Sequence, residues 1–74
     1  MSKQFVSFYV TWRDVGEGAP GLFAGERAYG RAAAAALQER LNALADEGWI
    51  IQEIIPASGF TPRQTAAFTV VAFR

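Results

Sequence analysis

The segment LNALADEGWIIQEIIP, residues 41–56, passes from a helical pattern to an apolar strand with almost no polar linker between them. In and before this segment, apolar residues recur at spacings of three and four, which places them along one face of a helix. These residues are Ala34, Leu37, Leu41 and Leu44. A helix commonly ends where a glycine adopts the left-handed conformation. We therefore expect the helix to end at Gly48, with Trp49 packing back on its last turn against Leu44 or Ala45.

The start of this helix is predicted less directly. The composition becomes helical from about Glu26, and a run of five alanines follows Arg31. Gly30 interrupts the pattern, because glycine inside a helix costs about 1 kcal/mol relative to alanine. We expect the regular helix to begin after Tyr29.

Three segments have the alternation or the β-branched and aromatic content of strands: QFVSFYVTWRD at residues 4–14, IIQEII at 50–55 and TAAFTVVAFR at 65–74. In the first of them, one side of the strand carries Val6, Phe8, Val10 and Trp12. The order strand, helix, strand, strand predicts an α+β fold of type β-α-β-β, in which one helix packs on one face of a three-stranded antiparallel sheet. Because the last strand is the least charged, we place it in the centre, which gives strand order 1-3-2.

The length and the residue types limit what can stabilise this fold. The 74 residues make a single domain, residues 1–74, near the lower size limit for independent folding. Cysteine and histidine are both absent, so we expect no disulfide, no metal site and no cofactor. Since 51% of the residues are hydrophobic, self-association is the remaining means of stabilising so small a core.

Charge and hydropathy exclude several classes of protein. Seven basic and seven acidic residues give a formal net charge of zero without a run of either sign, which disfavours an extended nucleic-acid partner. No apolar run approaches the roughly 20 residues that span a bilayer, so we expect no membrane insertion. The N-terminal segment MSKQFVSFYV lacks the pattern of a signal peptide, which predicts a cytoplasmic protein.

A single helix covers one side of a sheet, and this sequence has apolar residues for both sides. The uncovered side is predicted to carry Phe5, Tyr9, Val71 and Phe73, together with one pair of the isoleucines in IIQEII. We expect this second face to be the interface of a homo-oligomer. The alternative is a monomer in which the glycine-rich loop folds over the face through Leu22 and Phe23, which we expect to pack on the body of the protein.

No combination of residues predicts catalysis. Without cysteine and histidine, the common nucleophile–base pairs are missing, and the spacing of the acidic residues does not bring two carboxylates together. The glycine-rich stretch GEGAPG lacks the lysine and the spacing of a phosphate-binding loop. We expect a protein that is not an enzyme.

Two loop regions carry side chains suited to a small anionic ligand with a flat ring. Guanidinium groups bind phosphate or carboxylate, and aromatic rings stack on flat rings. The predicted ligand-binding residues are Arg27, Tyr29 and Arg31 where the loop 16–30 meets the helix, and Ser58, Phe60, Thr61 and Arg63 in the second loop. The alternative is that these are solvated arginines and ordinary turn residues.

The run from Leu41 to Trp49 resembles a family of small bacterial and phage domains of unknown function. Their signature is a helix ending L-N-x-L-x-x-E-G-W followed by a strand, and the likeness covers residues 31–56. The resemblance supports the fold and brings no catalytic residues with it. Small phage domains of this kind often act against host defences, some by sequestering signalling nucleotides in homo-oligomers and others by covering a nuclease complex.

Three hypotheses for the function follow. The first is a non-enzymatic, homo-oligomeric binding protein that sequesters a small anionic ligand such as a signalling nucleotide. The second is a protein–protein inhibitor or adaptor that uses the apolar face or a strand edge. The third is a structural assembly domain without a ligand.

Overall fold

The computed structural model describes residues 3–16, 19–21 and 23–74. Its elements, in chain order, are β1 (Phe5–Thr11), a 3-10 turn (Trp12–Val15), α1 (Glu26–Asp46), β2 (Ile50–Pro56), α2 (Pro62–Thr65) and β3 (Ala67–Phe73). The three strands form one antiparallel sheet in the order β1-β3-β2. The predicted α+β fold, with β3 in the centre and the order 1-3-2, is confirmed.

The register of the sheet decides which residues share a face. Val6, Phe8 and Val10 of β1 lie opposite Ala72, Val70 and Phe68 of β3. On β2, the register shifts between Ile51 and Glu53, so that Gln52 is an extra residue in the ladder. Because of this bulge, Ile51 and Ile54 face the same side as Val70, whereas Ile50 and Ile55 face the other side. Strict alternation would have put Ile50 and Ile55 on opposite faces.

The core lies between α1 and one face of the sheet. Val10 and Val70 are fully buried at its centre. The first cluster of buried residues consists of Val10, Ala36, Leu44, Val70 and Ala72, and the second consists of Trp12, Tyr29, Ala32, Ala33 and Ala66. Val6, Phe8 and Trp12 pack on this side of the sheet, as the alternation in the first strand predicted.

The helix-to-strand junction forms as the sequence predicts. Gly48 has φ = 83°, and its N–H donates to the Ala45 carbonyl oxygen at 3.0 Å. The N–H of Trp49 donates to the Leu44 carbonyl oxygen at 2.9 Å, which completes the Schellman pattern of hydrogen bonds. Trp49 packs against the first core cluster, and the Arg74 guanidinium carbon lies 4.3 Å from the centre of its indole ring.

The predicted start of the helix and one residue of its buried face are wrong. α1 begins at Glu26 and runs through Gly30, because the buried ring of Tyr29 holds its first turn against the second core cluster. Ala34 is exposed, whereas its neighbour Ala33 is buried. Because Tyr29 is buried, the helix face that also carries residues 32, 33 and 36 packs against the core. Ala34 points away from that face.

Two short turns replace regions that the sequence analysis assigned to a strand and a loop. β1 ends at Thr11, whose Oγ1 accepts from the Arg13 N–H at 3.1 Å while Asp14 Oδ2 accepts from the Thr11 N–H at 2.8 Å. At α2, Thr61 Oγ1 accepts from the Gln64 N–H at 3.3 Å, and Gln64 Oε1 accepts from the Thr61 N–H at 3.3 Å. Each of these side chains accepts a hydrogen bond from a backbone N–H at the start of a helical turn, where no carbonyl oxygen of the turn is available to that N–H.

Leu22 and Phe23 were predicted to pack on the body of the protein, and the structure tests this prediction for Phe23. Phe23 is 96% exposed, so for this residue the expectation is wrong. Leu22 lies outside the described residues. The Tyr29 hydroxyl donates to the Gly21 carbonyl oxygen at 2.6 Å, so at this point the loop is tied to α1 by a hydrogen bond.

Candidate functional site

The face of the sheet opposite α1 is apolar and exposed, and we call it the open face. Its three rows run across β1, β3 and β2, and they are Phe5–Phe73–Ile50, Ser7–Val71–Glu53 and Tyr9–Thr69–Ile55. Phe5 is 62% exposed and Tyr9 64%, and Val71 and Phe73 in the central strand are partly exposed. The four residues that the sequence analysis assigned to a second apolar face therefore lie together.

A cleft opens where the Tyr9 end of this face meets the two short turns. It has a volume of about 400 Å³, which is within the range of small-molecule sites. The residues that line it are Tyr9, Thr11, Trp12, Arg13, Thr61, Arg63, Gln64 and Ala67. We call this space the arginine cleft.

The two arginines of the cleft occupy the same position in two similar turns. TWRD, residues 11–14, and TPRQ, residues 61–64, each begin with a threonine N-cap and have an acceptor side chain as their fourth residue. Arg13 and Arg63 are therefore both the second residue after the cap. The capping hydrogen bonds fix the backbone of each turn, and so they fix the point from which each guanidinium extends.

Trp12 joins the two turns. Its indole Nε1–H donates to the backbone carbonyl oxygen of Arg63 at 3.0 Å. The guanidinium carbons of Arg13 and Arg63 lie 4.9 Å and 5.0 Å from the centre of the indole ring. Beneath it, Tyr29 packs edge-on, with ring centres 4.9 Å apart. Trp12 is buried, so it is a fixed platform for both cations.

The cleft carries positive charge. Among the residues that the structure describes, its lining includes two arginines and no carboxylate. Because both guanidinium carbons lie within 5.0 Å of one ring centre, they are at most about 10 Å apart, which is comparable with the Debye length at physiological salt. Their mutual repulsion is therefore incompletely screened, and an anion in the cleft would relieve it.

Hydrogen-bonding groups and an aromatic ring complete the lining. The oxygens of Thr11 and Thr61 accept the capping hydrogen bonds, so each hydroxyl still has its own O–H to donate. The exposed ring of Tyr9 stands at the boundary between the cleft and the open face. This set of groups can hold an anion at one end and a flat ring at the other.

The structure brings together only some of the predicted ligand-binding residues. Thr61 and Arg63 line the cleft. Tyr29 is buried beneath Trp12 and supports the cleft from below. Arg27 and Arg31 are exposed one turn apart on α1 and do not line it. Ser58 and Phe60 are exposed in the segment before α2, also outside the lining.

Thr11, Trp12 and Arg13 are not among the binding residues predicted from the sequence, and Tyr9 is predicted there for the oligomer interface alone. The signal that points to the first three is the repeated T-x-R pattern with an acceptor in fourth position, at residues 11–14 and 61–64. Its two copies are 50 residues apart in numbering and meet because β1 pairs with β3, so that Thr11 lies opposite Ala67.

A second cavity lies on the other side of β1, between the 3-10 turn and α1. It is smaller, at about 240 Å³, and its lining includes Asp14, Glu39 and Arg40. Charges of both signs offset each other there, and the Arg40 guanidinium already lies 4.9 Å from the Phe8 ring centre. The arginine cleft is therefore the better candidate for a charged ligand.

Among the described residues, no group of three or more acidic, histidine or cysteine side chains is arranged to hold a metal ion. None of the helices in the described ranges combines the length and apolar character needed to cross a membrane. Comparison with protein-family models, curated proteins and solved structures finds no match to this chain. The resemblance carried by residues 41–49 accordingly stays a prediction.

Proposed function

We propose that this protein is a non-enzymatic binding protein that holds a small anionic ligand with a flat ring, of the nucleotide class, in the arginine cleft. One observation carries the proposal: Arg13 and Arg63 both contact the ring of Trp12, in a cleft whose described lining residues include no carboxylate. The ligand's phosphate would bind between the two guanidinium groups. Binding without conversion would make sequestration of the ligand the biological role.

The charges favour a phosphate over a neutral ligand. Guanidinium groups form paired, charge-assisted hydrogen bonds with phosphate oxygens, and these bonds are roughly twice as strong as neutral ones. The platform under Arg13 and Arg63 is rigid, since Trp12 is buried and hydrogen-bonded to the Arg63 carbonyl oxygen. A rigid site loses less conformational entropy on binding than a flexible one.

The ring of Tyr9 favours a ligand that is aromatic as well as anionic. Tyr9 lines the cleft, so a flat base can stack on the side of the ring that faces the cleft while the phosphate contacts the arginines. Stacking of a base on an aromatic side chain contributes about 1–3 kcal/mol. The hydroxyl groups of Thr11 and Thr61 are suited to donate to phosphate or sugar oxygens.

The test is a calorimetric titration with adenosine 5′-monophosphate, adenosine and inorganic phosphate, followed by a set of cyclic dinucleotides. We expect the phosphorylated nucleosides to bind more tightly than adenosine. Arg13→Gln and Arg63→Gln should each weaken binding about tenfold or more, because each removes a charge-assisted hydrogen bond. Arg27→Gln and Arg31→Gln are the matched controls, since they remove the same charge outside the cleft. Equal losses in all four variants, or no binding of any phosphorylated nucleoside, would overturn the proposal.

A second candidate is the protein–protein inhibitor or adaptor, and the exposure of Phe60 favours it. This ring is fully exposed in the segment that leads into Thr61, next to the arginine cleft, and aromatic residues including phenylalanine are enriched at protein–protein interfaces. The second candidate predicts that no nucleotide raises the melting temperature of the protein. A bound ligand at 100 times its Kd should raise the stability by about 2.7 kcal/mol, so a thermal-shift screen separates the two candidates.

A further inference from the structure

We infer that the open face binds a second copy of this chain, face to face, about a two-fold axis that runs parallel to β3 at Val71. The inference concerns a surface that adjoins the arginine cleft, and it does not depend on whether the cleft binds a nucleotide. Three features support it: the apolar area, the distribution of polar residues among the rows and the position of the charged groups.

The exposed apolar area reaches the minimum for a specific dimer interface. Phe5, Tyr9, Ile50 and Ile55 have 62%, 64%, 57% and 43% of their surfaces exposed. An aromatic side chain presents about 150–250 Å². With the exposed parts of Val71 and Phe73, the open face offers on the order of 500 Å² per copy, or about 1,000 Å² for two copies, which reaches the lower bound for a specific interface.

The pattern of the three rows is self-complementary about this axis. Rotation about this axis leaves each row at the same position along the strands. It places β1 of one copy opposite β2 of the other. Ser7 then faces Glu53 of the second copy in the middle row, so the carboxylate of the open face meets a hydroxyl donor, and this contact occurs twice. In the outer rows, Phe5 faces Ile50 and Tyr9 faces Ile55 of the second copy.

The charge of Glu53 favours this axis over a two-fold axis that runs across the strands. A two-fold axis across the strands at Val71 would place Glu53 against Glu53 of the second copy, so that the two carboxylates would repel each other. The ammonium of Lys3 already has a partner in the adjacent end row of the face, because its Nζ lies 4.6 Å from the Phe73 ring centre. Lys3 is exposed and precedes β1, so its long side chain can extend past the end row and keep its charge in solvent at the rim of the interface.

The first part of the test is the mass of the protein in solution. Size-exclusion chromatography with light scattering should give twice the chain mass of 8.1 kDa at high concentration, without any ligand. Val71→Glu should raise the Kd of the dimer by about 100-fold or more, because it buries two unpaired carboxylates at the centre of the interface. Gln38→Glu introduces the same group on the exposed side of α1 and should leave the Kd unchanged. Circular dichroism verifies that both variants fold.

The second part tests the axis. The chain has no cysteine, so Ser7→Cys and Glu53→Cys each introduce a single thiol. When the two variants are mixed and treated with a short bis-maleimide, cross-links should join unlike chains in preference to like chains. The inference would be overturned by the mass of a single chain at every concentration, by an oligomer larger than a dimer, or by a preference for cross-links between like chains. Nucleotide titration of the Arg13 and Arg63 variants tests the proposed function alone, because those substitutions should leave the dimer intact.

Discussion

The indole N–H of Trp12 donates a hydrogen bond to the backbone carbonyl oxygen of Arg63, 3.0 Å away and 51 residues later in the chain. The same ring lies within 5.0 Å of both guanidinium carbons of the cleft. One buried side chain therefore connects the end of β1 with the turn before β3, and it places the two cations. The stability of the fold and the geometry of the cleft depend on the same contact.

Trp12→Phe should reduce both stability and binding. The substitution leaves the Arg63 carbonyl oxygen without its donor and removes part of the platform under the guanidinium groups. We expect the free energy of unfolding to fall by about 2 kcal/mol, as measured by urea denaturation. The affinity for a phosphorylated nucleoside should also fall at a temperature where the variant is fully folded. Tight binding by a destabilised variant would show that the ring does not position the arginines.

Gly59→Ala should disturb the turn that carries Arg63. A Cβ at this position would lie 2.6 Å from the Cβ of Gln64, which is fixed to the backbone and cannot swing away. We expect a loss of about 1–3 kcal/mol in urea denaturation, together with weaker ligand binding, because the capping side chain of Gln64 must shift. Gly21→Ala is the control, since nothing lies within 4 Å of its Cβ. A neutral effect at Gly59 would mean that the segment before α2 relaxes without cost.

The fold was predictable from the sequence because its signals are local. Spacings of three and four residues give the helix, alternation gives β1, and the glycine followed by tryptophan gives the junction at Gly48 and Trp49. The low charge of the last strand predicts its central position. Each of these features depends on residues that are close in the sequence, so each can be predicted without knowledge of the tertiary contacts.

The cleft was less predictable, because it depends on contacts between distant residues. Arg13 enters it only because β1 ends at Thr11, where the capping side chain of Asp14 competes with continuation of the strand. Tyr29 and Tyr9 are both tyrosines near arginines in the sequence, yet the first is buried and the second exposed. The burial of Tyr29 follows from its contact with Trp12, and no local pattern encodes that contact.

Two glycines provide a paired prediction about the backbone. Gly48→Ala should cost about 1–2 kcal/mol, because its φ of 83° is unfavourable for a residue with a Cβ, even though nothing lies within 4 Å of that position. Gly30→Ala should stabilise the protein by about 1 kcal/mol, since Gly30 lies inside α1 and has open space around it. Urea denaturation of both variants measures the difference. Equal effects at the two positions would contradict the assigned helix end.

Tyr9 belongs to two surfaces, because it lines the arginine cleft and is part of the third row of the open face. Tyr9→Ser should therefore weaken both nucleotide binding and self-association. Phe5→Ser is the matched control: it removes an exposed aromatic ring from the same side of β1, but Phe5 does not line the cleft. We expect it to weaken self-association alone.

Titration calorimetry with adenosine 5′-monophosphate and light scattering over a dilution series measure the two dissociation constants of each variant. The loss of ring stacking should raise the ligand Kd of Tyr9→Ser about fivefold or more. If Phe5→Ser weakened the ligand as much as Tyr9→Ser does, nucleotide binding would require the assembled dimer, and the stacking role of Tyr9 would be wrong. If Tyr9→Ser left both constants unchanged, neither surface would include this ring.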